Sequence, residues 1–165
     1  MPILDARTVE FFTRGPEQTR RVGTRLGMLL QKGDVICLSG DLGSGKTTFV
    51  QGISRGWGSL DPVTSPTFVL VNAYRRQDGQ VLHHLDAYRI QSALEAEDLD
   101  IDIMLERGPL VLEWPERIDG ALPENRLTLN LRWMTEDQRG VMASARGSRY
   151  QTLLSQLRRT IYGGS

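Results

Sequence analysis

Hydrophobic positions recur along this chain with two different periods, and the changes from one period to the other mark out its elements. In "RTVEFFT", Arg7 to Thr13, the β-branched and aromatic residues predict a strand. After Pro16, Val22, Leu26, Leu29 and Leu30 fall at helical spacing, and Gly33 stands where a helix stops. "DVICLS", from Asp34, is a short continuous apolar run suited to a buried central strand. The Gly-rich stretch Gly40 to Gly45 separates it from "KTTFVQGISRGW", which reads as a helix with Phe49, Val50 and Ile53 on one side.

Further on, "PTFVLVNAYR" and "QVLHHLDAYR" are strand-like runs, and Asp78-Gly79 between them is a strong hairpin signal. In "QSALEAEDLDIDIMLER" helix formers come first and apolar/polar alternation afterwards, so a helix is expected only to about Leu99. "GPLVLEW" is another buried strand. "RLTLNLRW" alternates Leu127, Leu129, Leu131 and Trp133 as a half-buried strand does, and "GVMASA" is placed to pair with it. A closing helix carries Tyr150, Leu153, Leu154, Leu157 and Ile161 as its packing stripe. Strand, Gly loop and helix followed by more strands describe an α/β sheet, and the antiparallel hairpin makes it mixed.

The 165 residues suffice for one globular core, so a single domain over 1–165 is expected. There is no apolar run of about eighteen residues and no leader-like start at "MPILDARTVE", so a soluble, cytoplasmic protein with no membrane partner is expected. Twenty acidic and twenty basic residues cancel. No global positive field draws the chain onto nucleic acid, so DNA is not an expected partner, and RNA contact would be local or through a partner protein. The single cysteine, Cys37, cannot form an internal disulfide and reads as a buried structural thiol. Lysine occurs only at Lys32 and Lys46, which makes the one inside the Gly-rich loop less of an accident.

That loop carries the chemistry. Gly40, four residues, then Gly45-Lys46-Thr47 satisfies the phosphate-loop pattern between a predicted strand and a predicted helix. Its glycines let consecutive N–H groups curl toward phosphate oxygens, and the helix N-terminus points its positive end at the same anion. Lys46 is expected to bridge β and γ phosphates, with the Thr47 hydroxyl on magnesium. No asparagine among Asn72, Asn125 and Asn130 begins the Asn-Lys-x-Asp motif of guanine specificity, which favours ATP.

Such a loop needs an acid at the end of a nearby strand to hold hydrated magnesium, and Asp86 in "VLHHLDAYR" is the leading candidate. Strand alternation would group it with His84 and Tyr88 on one face. His83 and His84, being adjacent, face opposite sides and do not make a two-histidine metal site. Glu113 in "PLVLEWPER" also sits at a strand's end, from which a carboxylate can orient an attacking water. Thr67 in "TSPTFVL" could reach metal or γ-phosphate from a switch loop, although a Thr starting a strand after a proline turn is the blander reading. Trp114 could stack near the nucleotide, but packing is the commoner use of such a residue. The acidic run from Glu95 to Glu106 reads as a solvated face, with docking of a basic partner as the sharper alternative.

Taken together, "GDLGSGKTT", "TSPTFVLVNAY", "HLDAYR" and "LEWPER" resemble, in order and spacing, the small bacterial ATPases of the TsaE family, formerly called YjeE, from about Glu17 to Arg117. The resemblance implies a P-loop NTPase-like three-layer α/β fold and a part in making N6-threonylcarbamoyladenosine in tRNA. It implies ATP and Mg2+ as cofactors and the TsaB–TsaD pair as partner, with tRNA met indirectly through that complex. It implies that the chain supports repeated turnover and does not itself transfer the group. By position it assigns the phosphate site to Asp41, Leu42, Gly43, Ser44, Gly45, Lys46, Thr47 and Thr48, with Trp114 beside the nucleotide. Metal contacts fall to Thr47, Asp86 and Glu113, and hydrolysis to Lys46, Glu113 and the switch residue Thr67. Two other readings stay open: a small-molecule kinase with the same loop, and an assembly module in which ATP occupancy suffices and hydrolysis is incidental.

Overall fold

The computed structural model describes residues 3–5, 7–41, 43–63, 71–90, 95 and 97–162. Its strands are β1 (Ile3–Asp5), β2 (Thr8–Arg14), β3 (Val35–Ser39), β4 (Val71–Arg75), β5 (Val81–Asp86), β6 (Leu110–Glu113), β7 (Arg126–Trp133) and β8 (Gln138–Arg146). Among the described residues its continuous α-helices are α1 (Gly15–Leu29), α2 (Lys46–Trp57), α3 (Ile101–Arg107) and α4 (Ser148–Tyr162), beside three short 3-10 turns. The described strands form one mixed sheet in the order β1-β2-β8-β7-β3-β6-β5-β4. The four central strands run parallel, β7 with β3, β3 with β6 and β6 with β5. Antiparallel pairs extend both flanks, including the expected β4–β5 hairpin with Gly79 at φ 89 in its turn.

Two apolar clusters fill the two faces of the sheet, which gives the expected three-layer α/β arrangement. One joins Phe11, Ile36, Leu38 and Leu129 to Leu26 of α1, Phe49 and Ile53 of α2, and Leu153 and Leu157 of α4. The other joins Val35, Cys37, Leu85 and Leu112 to Ile101, Ile118 and Leu122. Cys37 is wholly buried, and burial pushes its thiol up to about 12, so it stays protonated and inert as a packing group.

α3 differs from the alternation expected beyond Leu99. Asp100 adopts a left-handed conformation (φ 54), and the chain then starts a helix. Ile101, Met104 and Leu105, spaced i, i+3, i+4, pack on the second core cluster, whereas Ile103 is 55% exposed. The apparent period of two was a helical face read through an outward isoleucine. Glu95 and Glu97 are helical, in keeping with the earlier expectation, and the other residues between 91 and 96 lie outside the described set.

The position of the phosphate loop depends on how closely α1 meets α2. Gly23 and Gly27 of α1 face Gly52 and Gly56 of α2, and a methyl group at Gly52 would run into the Arg20 carbonyl. Alanine in a helix gains about 1 kcal/mol over glycine in propensity, while overpacking a tight contact costs about 1–3 kcal/mol. Here the obstacle is backbone, which yields little. Gly52→Ala is therefore expected to lower stability by about 1–2 kcal/mol on these terms, read from its urea midpoint. An unchanged or higher midpoint would mean that the helices separate without cost.

Candidate functional site

β3 delivers the loop to the carboxyl end of the parallel strands, and the backbone there takes conformations that glycine favours. Gly43 and Gly45 have φ of 80 and 104, and a side chain at Gly40 would collide with the Leu131 carbonyl of β7. Gly45 is the N-cap of α2, and no side chain caps that helix, so its first N–H groups remain available to an anion. Ser44 lies fully buried within the loop, and its hydroxyl has no protein partner. These features suit a phosphate: an uncapped helix end, a loop backbone in glycine-favouring conformations with no room for a side chain at Gly40, and a lysine at its mouth.

Lys46 donates to the carbonyls of Gly40 and Asp41, the latter at 3.0 Å, with its ammonium 4.4 Å from the centre of the Trp114 ring. Burial lowers its pKa, and the carboxylates of Glu113, Glu116, Asp41 and Asp86 pull in the other direction. Trp114 reaches over the lysine because its own backbone is left-handed (φ 61) where β6 gives way to a short turn. For a bulky residue that conformation costs about 1–2 kcal/mol, and here it aims the indole at the loop.

The two carboxylates come from adjacent parallel strands in register, Asp86 of β5 opposite Glu113 of β6. Asp86 ends its strand and accepts a hydrogen bond from the Tyr88 N–H at 3.0 Å, so the chain turns at Ala87. Tyr88 thus leaves the strand face on which alternation grouped it with His84 and Asp86, and its ring lies 5.0 Å from Trp114. Burial raises the Asp86 pKa; the Tyr88 N–H opposes this and nearby Glu113 adds to it. Glu113 is buried and accepts from His84 Nε2 at 2.6 Å.

A cleft of about 410 Å³ joins these groups; Asp41, Gly43, Gly45, Lys46, Thr47, Thr48, Asp86, Glu113 and Trp114 all line it. Ser44 is in the loop but does not line the cleft. Leu42 and Thr67 lie outside the described residues. The cleft has a second arm that motif reading missed, made by Gly15, Pro16 and Thr19 where β2 meets α1, and by Glu136, Asp137 and Arg139 where β7 turns into β8. Arg139 donates to the Gly43 carbonyl at 3.2 Å, and Gly15 N–H to the Asp137 carbonyl at 2.6 Å. No spacing in the sequence signals this arm, because it needs β2, β8 and β7 side by side.

Among the described residues no group of three or more His, Cys, Asp and Glu side chains could by itself cage a metal ion. Magnesium does not require one, since it commonly keeps waters and takes one or two carboxylates together with phosphate oxygens. The Thr47 hydroxyl and the Asp86 carboxylate, both on the cleft wall, fit that habit. No helix among the described residues is long and apolar enough to cross a membrane.

Fold and site together define a P-loop NTPase-like α/β protein. The family model described as "Threonylcarbamoyl adenosine biosynthesis protein TsaE" matches residues 13–141. The chain belongs to the TsaE family. It is 36% identical over 155 residues to the tRNA threonylcarbamoyladenosine biosynthesis protein TsaE of Bacillus subtilis, covering 93% of this chain and 96% of that one. With the protein of the same description from Streptomyces coelicolor it shares 46% identity over 114 residues, 68% of this chain and 77% of the relative. The crystal structure of Bacillus subtilis YdiB superposes with a TM-score of 0.78 at 30% identity, covering 94% of this chain and 97% of that one.

Proposed function

We propose that this chain is a magnesium-dependent ATPase, a single cytoplasmic domain that acts with the TsaB–TsaD pair in forming N6-threonylcarbamoyladenosine in tRNA. The observation that carries the reading is the uncapped N-terminus of α2 beside Lys46, facing two carboxylates on neighbouring strand ends. Family membership supplies the pathway. tRNA is then reached through the complex and not by this chain's own balanced surface charge.

In this reading Lys46 exchanges its loop carbonyls for β- and γ-phosphate oxygens, and the N–H groups from Gly43 to Thr48 hold the rest of the anion. Thr47 and Asp86 would hold magnesium, which when bound would supply positive charge beside the phosphates. Glu113 orients water toward the γ-phosphate and would help hold magnesium through water, while Trp114 shields the lysine side of the cleft. The nucleoside extends toward Pro16, Thr19 and Arg139. Leu42 completes the loop, and Thr67 senses the γ-phosphate, so hydrolysis alters the surface offered to the partner.

The test is ATP consumption by the chain alone and with purified TsaB–TsaD. Slow release of inorganic phosphate alone and faster release with the pair is the expected result. A phosphorylated metabolite in place of inorganic phosphate would make the chain a kinase.

A further inference from the structure

Glu113 is held from behind by a row of side chains that crosses three strands. Tyr74 lies on β4, His84 on β5 and Glu113 on β6, and all three are buried, with His84 fully so. Register places His84 opposite Asn72 and Val111, so Tyr74 and Glu113 are its diagonal neighbours, two residues along on the same face of the sheet. The Tyr74 hydroxyl is 3.0 Å from His84 Nδ1, and His84 Nε2 is 2.6 Å from Glu113 Oε2.

Donor and acceptor chemistry orders this row. A carboxylate only accepts, so Nε2 carries the proton given to Glu113; in the neutral ring Nδ1 then has a lone pair, and the Tyr74 hydroxyl donates to it. The imidazole is held in one tautomer and one orientation, and one oxygen of Glu113 is committed to it.

We infer that His84 is a positioning residue for Glu113: it fixes Oε2 so that Oε1 alone faces the cleft, and Tyr74 locks the histidine tautomer that makes this bond. The inference rests on the ATPase reading above, and gives that site a supporting shell. A buried carboxylate without this partner would turn toward Lys46, whose ammonium is drawn by Glu113 among others, and would lose its line to the attacking water. Tyr74 and His84, unlike Glu113, do not line the cleft, and so removing either should alter turnover and spare affinity.

The test uses the full chain with TsaB–TsaD and follows ATP hydrolysis beside equilibrium ATP binding. His84→Leu is expected to lower kcat by about 10–100-fold, as loss of a supporting partner to a reactive group commonly does, with the ATP dissociation constant near wild type. His84→Gln, whose amide nitrogen can still donate to Glu113, is expected to recover most of that loss. Tyr74→Phe should fall between wild type and His84→Leu. In a Glu113→Gln background, His84→Leu should cost nothing further in kcat, because the effect runs through the carboxylate. If His84→Leu does not fold, the Tyr74→Phe and His84→Gln pair carries the same comparison.

Unchanged kcat in the folded single variants, a parallel loss in the Glu113→Gln background, or ATP affinity falling in step with kcat would each overturn the inference. A wild-type chain that hydrolyses ATP and loses this on Glu113→Gln but not on His84→Leu would sink the inference alone. A wild-type chain that never hydrolyses ATP would sink the ATPase reading, and the inference with it.

Discussion

Replacing Lys46 with alanine is expected to lower ATP turnover by about 10²–10³-fold or more, the scale of losing one preorganised electrostatic contact to the reacting group, and to weaken ATP binding at the same time. The ammonium is the one lysine charge in a cleft whose near wall carries Asp41, Asp86 and Glu113. Without it Arg139 is the remaining basic side chain on the cleft wall to set against those carboxylates, so binding and chemistry suffer together. The fold should survive, because the lysine's partners are two loop carbonyls and an indole face, not the core. Phosphate release, equilibrium ATP binding and a thermal melt check these three statements. Full turnover in the variant would show that Lys46 does not touch the nucleotide.

Glu113→Gln separates chemistry from binding. The amide oxygen can still accept from His84, so the local geometry is kept and only the negative charge goes. Turnover is expected to drop by about 10²–10⁴-fold, the range for a lost general base. ATP affinity should hold or improve, since a charge repelling the γ-phosphate has been removed. Glu113→Ala is a poorer probe: it strands the buried His84 N–H, at a cost of about 1–3 kcal/mol. A Glu113→Gln variant with wild-type turnover would reassign the water-orienting role, and one that loses affinity in step would make Glu113 a binding group only. The same variant tests the assembly alternative, in which function with TsaB–TsaD survives the loss of hydrolysis.

Local features were the legible ones. The phosphate loop lies within nine residues of one strand–turn–helix, so spacing alone located Gly40 to Thr48. Asp86 and Glu113 were legible as strand-end acids, but not as neighbours, because their pairing requires β6 to lie beside β5. The row from Tyr74 through His84 to Glu113 and the arm with Arg139 depend wholly on strand order. α3 was obscured by local chemistry of another kind: a left-handed Asp100 and an exposed Ile103 together imitate a strand's alternation. β1, three residues at the sheet's edge, has too short a pattern to announce itself.

On the function proposed above, this chain's ATP chemistry sustains tRNA modification. The most direct test of this is multi-turnover threonylcarbamoylation of tRNA by purified TsaB–TsaD and the donor synthase, with the wild-type chain or its Lys46→Ala variant added. Repeated turnover with the wild-type chain and a stall near a single round with Lys46→Ala is the predicted result. Equal turnover with either chain, or with neither, would contradict it.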